Sequence, residues 1–418
     1  MKQRTLSLWL GGVVLGLSCA AAQAASLTLA ETLTAARNYS AELSASRNES
    51  RALESMAESA RELPDPKLKF GIENVPVQGS NDRRFTREGM TMQRVGIMQR
   101  YVSAEKRDRK AQTLEAQSRS VNAKAETTLA KLQRDTAQAW LDLALSTEAL
   151  RAAKALVAET ERQMPTQKSA VGSGSASADS VLALRIALAA MQDKATLAER
   201  DVRLAQARLL ELTGENVTGI SGSMPKWQRL PADEQTLMDG IAQHPEVVFA
   251  AREATTAQAR SAQSAIAAIP DVDVEVYYAH RADEYDDMAG VMFTVDLPLF
   301  QAKRQDKDYA ADVSRTHQAN DELALVRRAH EAQISTLIAQ YQAAQAMWLR
   351  QRDEILPLQQ QRVSLLNAQY RAGQSDLASV LAARRDLLDT TLAATAAEKE
   401  VARNWAAIRY LIPQETAL

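Results

Sequence analysis

Four histidines, one cysteine, five of the twelve methionines and a short acidic run are the residues whose chemistry would be most telling here. His244, His280, His317 and His330 are scattered along the chain. His330-Glu331 opens like a zinc-binding helix pair but lacks the second histidine four residues on. No GxSxG, P-loop or dinucleotide glycine pattern follows a strand-like run, so neither an enzyme site nor a cofactor is expected. The run Asp283-Glu284-Tyr285-Asp286-Asp287 has carboxylates that suit a divalent cation, yet it reads as a solvated loop. Met90, Met92, Met98, Met288 and Met292 carry thioethers that suit soft cations such as Cu(I). Space filling or lipid contact accounts for them better, and no metal site is assigned.

The segments around these residues say more than the residues do. Hydrophobic residues make up 46% of the 418-residue chain but aromatics only 5%, and Gly and Pro are few, which favours long helices over an all-β protein. Lys2 and Arg4, an apolar run from Leu6 to Ala22, and the small-x-small site Ala22-Gln23-Ala24 read as an export signal over 1–24. Cys19 lies inside it, and Gly16 stands where a lipidation signal would have an aliphatic residue, so the expected mature chain has neither lipid nor thiol. The formal net charge is −2, and no basic run suggests nucleic acid.

The chain is written twice. Thr32-Leu33, Pro64-Asp65 and Gly174 with Ser180-Val181-Leu182-Ala183 recur as Thr236-Leu237, Pro270-Asp271 and Gly373 with Ser379-Val380-Leu381-Ala382. The spacing predicts two copies of one unit, 25–213 and 233–418, with 214–232 as linker. Each copy reads helix, two strands, long helix, tight turn, helix. The first helix is expected over about 30–62, and the long one over about 104–163. The long helix carries the stripe Leu129, Leu132, Thr136, Ala139, Leu143, Ser146, Leu150, Ala153, Val157. Ile334, Leu337, Tyr341, Ala344, Trp348, Gln351, Ile355 and Leu358 repeat it in the second copy. Small and apolar residues at this spacing predict coiled-coil packing. Helices of this length would reach roughly 90–100 Å, a rod.

Strands are expected at about 67–77, 90–102, 271–280 and 288–300. Leu68, Phe70 and Ile72 alternate with Lys67, Lys69 and Glu73. Val272, Val274 and Val276 alternate with Asp271, Asp273 and Glu275, and Val291, Phe293 and Val295 run opposite Asp296. Alternation of this kind gives an apolar face for lipid and a polar face for a pore. Four acids against Lys67 and Lys69 predict a negative pore. Four strands cannot close a barrel, and open edges in lipid leave backbone groups unpaired, so copies must share one. Twelve strands leave a lumen where eight would be filled by side chains.

This arrangement resembles the TolC-like outer-membrane efflux factors over nearly the whole mature chain. The marks are the duplication, the proline before each first strand, and Tyr370-Arg371-Ala372-Gly373 followed by Val380-Leu381-Ala382. Val171-Gly172-Ser173-Gly174 with Val181-Leu182-Ala183 matches more loosely. The resemblance implies a homotrimer in the outer membrane that extends into the periplasm, with a twelve-stranded barrel in lipid and an α-barrel below it. The turns at 165–180 and 370–380 would form the periplasmic tip, where a periplasmic adaptor and an inner-membrane pump of the resistance-nodulation-division type dock. The tip residues carried over are Gly174, Asp179, Gly373, Ser375 and Asp376. Family members close the tip with acids at positions that are Ser379 and Ala382 here, so Asp376 and Ser379 become the candidate gate, with helix capping by Asp376 as the competing role. Pro64 through Pro76 resembles the heavy-metal branch, which implies a passive exit duct for metal cations. Drug efflux or type I protein secretion on the same channel remains the alternative. A periplasmic adaptor would instead need one helical hairpin flanked by many short strands.

Overall fold

A computed structural model describes residues 25–85, 87–174, 177–281 and 284–413. The expected signal segment 1–24, Asp283 of the acidic run, and residues 175–176 of the first turn lie outside the described residues.

A short strand β1 (Ala25–Leu27) leads into helices α1 (Leu29–Tyr39) and α2 (Ala41–Arg61). The single helix expected over 30–62 is therefore two. Ser40 ends the first by giving its N–H to the Ala36 carbonyl and starts the second by accepting from the Leu43 N–H through its hydroxyl. Strands β2 (Lys67–Glu73) and β3 (Met92–Tyr101) follow, shorter than expected at their loop ends. Asn74 takes a left-handed conformation (φ 57°) immediately after β2, which turns the chain out of the sheet.

The long helix α3 (Ala104–Glu161) starts at the Ser103 cap and has 58 residues, about 87 Å at 1.5 Å each. Helix α4 (Met164–Gly172) follows after a short break, and α5 (Ala178–Thr213) returns along α3. Strand β4 (Val217–Ile220), helix α6 (Glu234–Asp239) and helix α7 (Pro245–Ala265) lead to strands β5 (Val272–His280) and β6 (Met288–Val295). The second long helix is interrupted. It runs as α8 (Gln305–Arg350), a π-turn over Gln351–Ile355, and α9 (Leu356–Arg371), before α10 (Leu377–Arg409) completes the chain. Pro357 supplies the cause, because it has no N–H for the α-helical ladder and its ring crowds the preceding turn.

Residues 214–232 are not a bare linker. Val217–Ile220 pairs in parallel with Ala25–Leu27, and Trp227 is buried with its carbonyl accepting the Tyr341 hydroxyl at 2.8 Å. This segment helps to wrap the middle of α3. There Ala137, Ala139, Trp140, Leu141, Leu143 and Leu145 are buried among Leu209, Trp348, Val401, Trp405 and Ile408. The expected one-sided stripe holds toward the helix ends. At this belt it gives way to burial on all sides but the half-exposed strip of Asp135, Gln138 and Asp142, and the Trp140 indole N–H donates to the Leu27 carbonyl at 3.0 Å.

Candidate functional site

Strands from the two halves form one antiparallel sheet in the order β2-β3-β5-β6. The centre of the sheet is the β3–β5 pairing, which joins residues about 180 apart in sequence, such as Ile97 with Val276 and Met98 with Glu275. Cross-strand partners share a face. Leu68, Phe70 and Ile72 therefore lie beside Val95 and Ile97, then Val274, Val276 and Tyr278, then Val291 and Phe293. Val272 and Val295 extend this face toward the helices. The sheet buries almost none of it: Phe70 is 82% exposed and Phe293 67%. Both outer edges, β2 and β6, have no partner strand among the described residues.

The opposite face collects Lys67, Lys69, Glu73, Asp273 and Glu275, with Asp271 and Asp296 bonded backbone to backbone just beyond the last pair. It also collects two arginines that the alternation did not reveal. Arg94 donates to Glu73 at 2.9 Å and to Glu275 at 2.7 Å, and Arg100 reaches Asp296 at 3.1 Å and Asp273 at 3.4 Å. Lys69 donates to Glu275 at 2.7 Å, and Lys106 from the first turn of α3 reaches Asp271 at 2.8 Å. The face expected to be negative is thus balanced. The signal was present in β3, where Met92, Arg94, Gly96, Met98 and Arg100 all fall on one side. Gln93 and Gln99 on the apolar side, and Gly96 and the methionines on the polar side, blurred it.

Met92, Met98, Met288 and Met292 occupy the polar face, while Met90 precedes β3. Among the described residues no group of three or more His, Cys, Asp or Glu side chains is placed to hold a metal ion. Two histidines far apart in sequence do meet. The His244 and His330 rings lie 3.8 Å apart between α7 and α8. His330 Nε2 is 2.8 Å from Glu246, whose other oxygen accepts from Lys131 at 2.8 Å. His244 accepts the Glu246 N–H through Nδ1 and so caps α7. Burial, reinforced by the neighbouring His330, pushes the His244 imidazole down to about 4.

The two glycine turns lie together at the far end of the helices. Gly174 (φ 74°) and Gly373 (φ 73°) both take the left-handed conformation that ends a helix, which a side chain would strain. Leu184, Ala187, Leu377 and Leu381 pack beneath them. Asp179 lies exposed in the first turn of α5, and Ser375 is half-buried in the second turn. Asp376 caps α10 by accepting the Ser379 N–H at 2.8 Å, and hydrogen bonding from the Ser379 side chain, with that N–H second, holds its carboxyl below the usual carboxylate range. Other residues bond across and within the turns. The Tyr370 hydroxyl crosses from the second turn to donate to Gln167 at 3.1 Å, and within the first turn the Gln167 amide donates to Ser180 at 2.6 Å. Deeper in, buried Arg384 pairs with Glu159 at 3.1 Å and contacts the Thr160 hydroxyl.

This arrangement superposes on solved structures over nearly the whole described chain. CusC, studied for folding and transmembrane channel formation, superposes with TM-score 0.73 over 93% of this chain and 92% of its own, at 15% identity. The chain has the TolC-like channel fold. The outer membrane protein VceC of Vibrio cholerae matches with TM-score 0.71 over 92% of this chain and 95% of its own, at 14% identity. The Campylobacter jejuni CmeC outer membrane channel matches with TM-score 0.70 over 93% and 87%, at 13% identity. No family model matches the sequence, and no curated protein does.

Proposed function

We propose that this protein is the outer-membrane channel subunit of a tripartite efflux system, a conduit and not an enzyme. The observation that carries this reading is the sheet, with a continuous apolar face exposed on one side, charges on the other, and an open strand at each edge. Apolar residues of this size left in water are a liability, whereas facing lipid they are at home. Lipid in turn tolerates no open edge. Pairing β6 of one copy with β2 of the next satisfies both demands, and three copies give twelve strands around a lumen. Leu68, Phe70, Ile72 and the β5 and β6 valines then face lipid, and the charged face lines the pore. The helices extend into the periplasm, where the turns at Gly174 and Gly373 meet the adaptor and the pump. The Tyr370–Gln167–Ser180 bonds are the first that an opening tip would have to exchange.

For cargo we propose heavy-metal cations, on the stretch from Pro64 to Pro76. Drug efflux and type I secretion use the same architecture and stay as the alternative. A negative pore no longer supports the metal reading, because Arg94, Arg100 and Lys106 offset its acids. The test of the channel reading is fractionation followed by crosslinking in mild detergent. A trimer in the outer-membrane fraction is expected. A soluble periplasmic monomer would end it.

A further inference from the structure

We propose that Glu275 and Arg100 hold the polar face of the sheet at zero net charge, so the barrel itself does not sort ions by sign. This rests on the channel reading above. Glu275 is only 5% exposed and accepts from two cations, Lys69 and Arg94. Arg94 is held in place as well as paired, since its guanidinium lies 3.7 Å over the Tyr277 ring. That ring in turn lies across Gly290, where any Cβ would meet it at 2.5–2.8 Å. Arg100 does the corresponding work nearer the helices, between Asp273 and Asp296. The acids Glu73, Asp271, Asp273, Glu275 and Asp296 are thus matched by Lys67, Lys69, Arg94, Arg100 and Lys106.

Opposite charges held about 3 Å apart act at a distance as dipoles, whose field fades faster than that of single charges. Salt screens what remains beyond about 8–10 Å. An ion in the lumen would then feel little preference, whereas an unbalanced ring of like charge would favour counter-ions. The balance depends on register, because each set draws its members from two or three strands. Removing one member leaves its partners uncompensated, and the direction follows from which member is lost. Glu275→Gln leaves one excess positive charge per subunit. Arg100→Gln leaves one excess negative charge.

The experiment is planar-bilayer recording of the purified full-length protein under a KCl gradient, with assembly of each variant checked by gel. Glu275→Gln should shift the K⁺/Cl⁻ permeability ratio toward chloride and Arg100→Gln toward potassium, each by about twofold. The double variant should return to the wild-type value. Shifts in the same direction, no shift in either variant, or a double variant that stays displaced would overturn the proposal. Should Glu275→Gln fail to assemble, Glu73→Gln removes the same charge from the more exposed end of the set. A properly assembled trimer that never conducts would overturn the channel reading, and this proposal with it.

Discussion

The belt and the sheet solve opposite problems with the same chain. Around Trp140, Leu141 and Leu143 the long helix is buried on all sides but the half-exposed strip of Asp135, Gln138 and Asp142, and the monomer supplies that cover itself. In the sheet, Leu68, Phe70, Val276 and Phe293 stand in the open, and only the charged face is satisfied internally. The difference teaches where the protomer ends as a folding unit. Burial of apolar surface can drive the belt to fold in a single copy. The sheet leaves its apolar face and both edges for other molecules to complete.

Three perturbations would break or sharpen this contrast. Four of the five tryptophans, Trp140, Trp227, Trp348 and Trp405, lie in the belt cluster and the fifth, Trp9, falls in the expected export signal, so fluorescence of the mature chain reports on belt unfolding. The largest effect is expected from Trp140→Ala. It would empty the centre of the belt, lose the indole bond to Leu27 and destabilise the fold by about 3–5 kcal/mol. Denaturant titration in detergent would show a lower midpoint. An unchanged midpoint would mean that the belt is not the core described here.

Next comes Val276→Arg. If this residue faces lipid near the bilayer centre, the change costs about 2–4 kcal/mol and should abolish insertion and trimer formation. The belt fluorescence of the unassembled chain should stay native-like. Normal insertion would show that the apolar face does not meet lipid. Loss of belt fluorescence would show that the two regions fold as one.

The smallest expected effect is an acid-side loss of stability through His244, in the α7–α8 contact beside the belt. Its folded pKa, about 4, lies below the unfolded value near 6.5, so the fold favours the neutral ring. The associated stability is complete above about pH 6.5 and is lost as pH falls toward 4. The full change is on the order of 3 kcal/mol, of which only part falls within the window of the measurement. Other carboxylates also titrate in this window, so the measurement is a comparison. His244→Ser keeps a helix cap while removing the titration. It should flatten the pH dependence of the midpoint between 6.5 and 4.5, and an unaltered slope would assign the loss elsewhere.

Much of this was legible from residue order. Period-two alternation gave the two faces of β2, β5 and β6, and a glycine after each long helix gave the turns. The signal in β3 was present but masked by Gln93 and Gln99. The helix breaks were partly readable. Pro357 stands one residue inside α9 and the π-turn ends just before it, whereas Ser40 is an ordinary serine until its two cap bonds are seen. The 214–232 segment misled because Gly and Pro mark a turn equally well in an open linker and in a packed wrap.

What the sequence determined by itself was local: element type, facing and length, each set by the spacing of apolar residues within one segment. What only the tertiary structure decided was partnership between distant segments. Nothing in the composition of β3 says that Arg94 reaches Glu275, 181 residues away, or that His244 meets His330. A register shift of two residues would keep every face intact and still change every ion pair. Hydrophobic patterning repeats along a strand and so fixes facing, while charge pairing depends on the one alignment that packing selects.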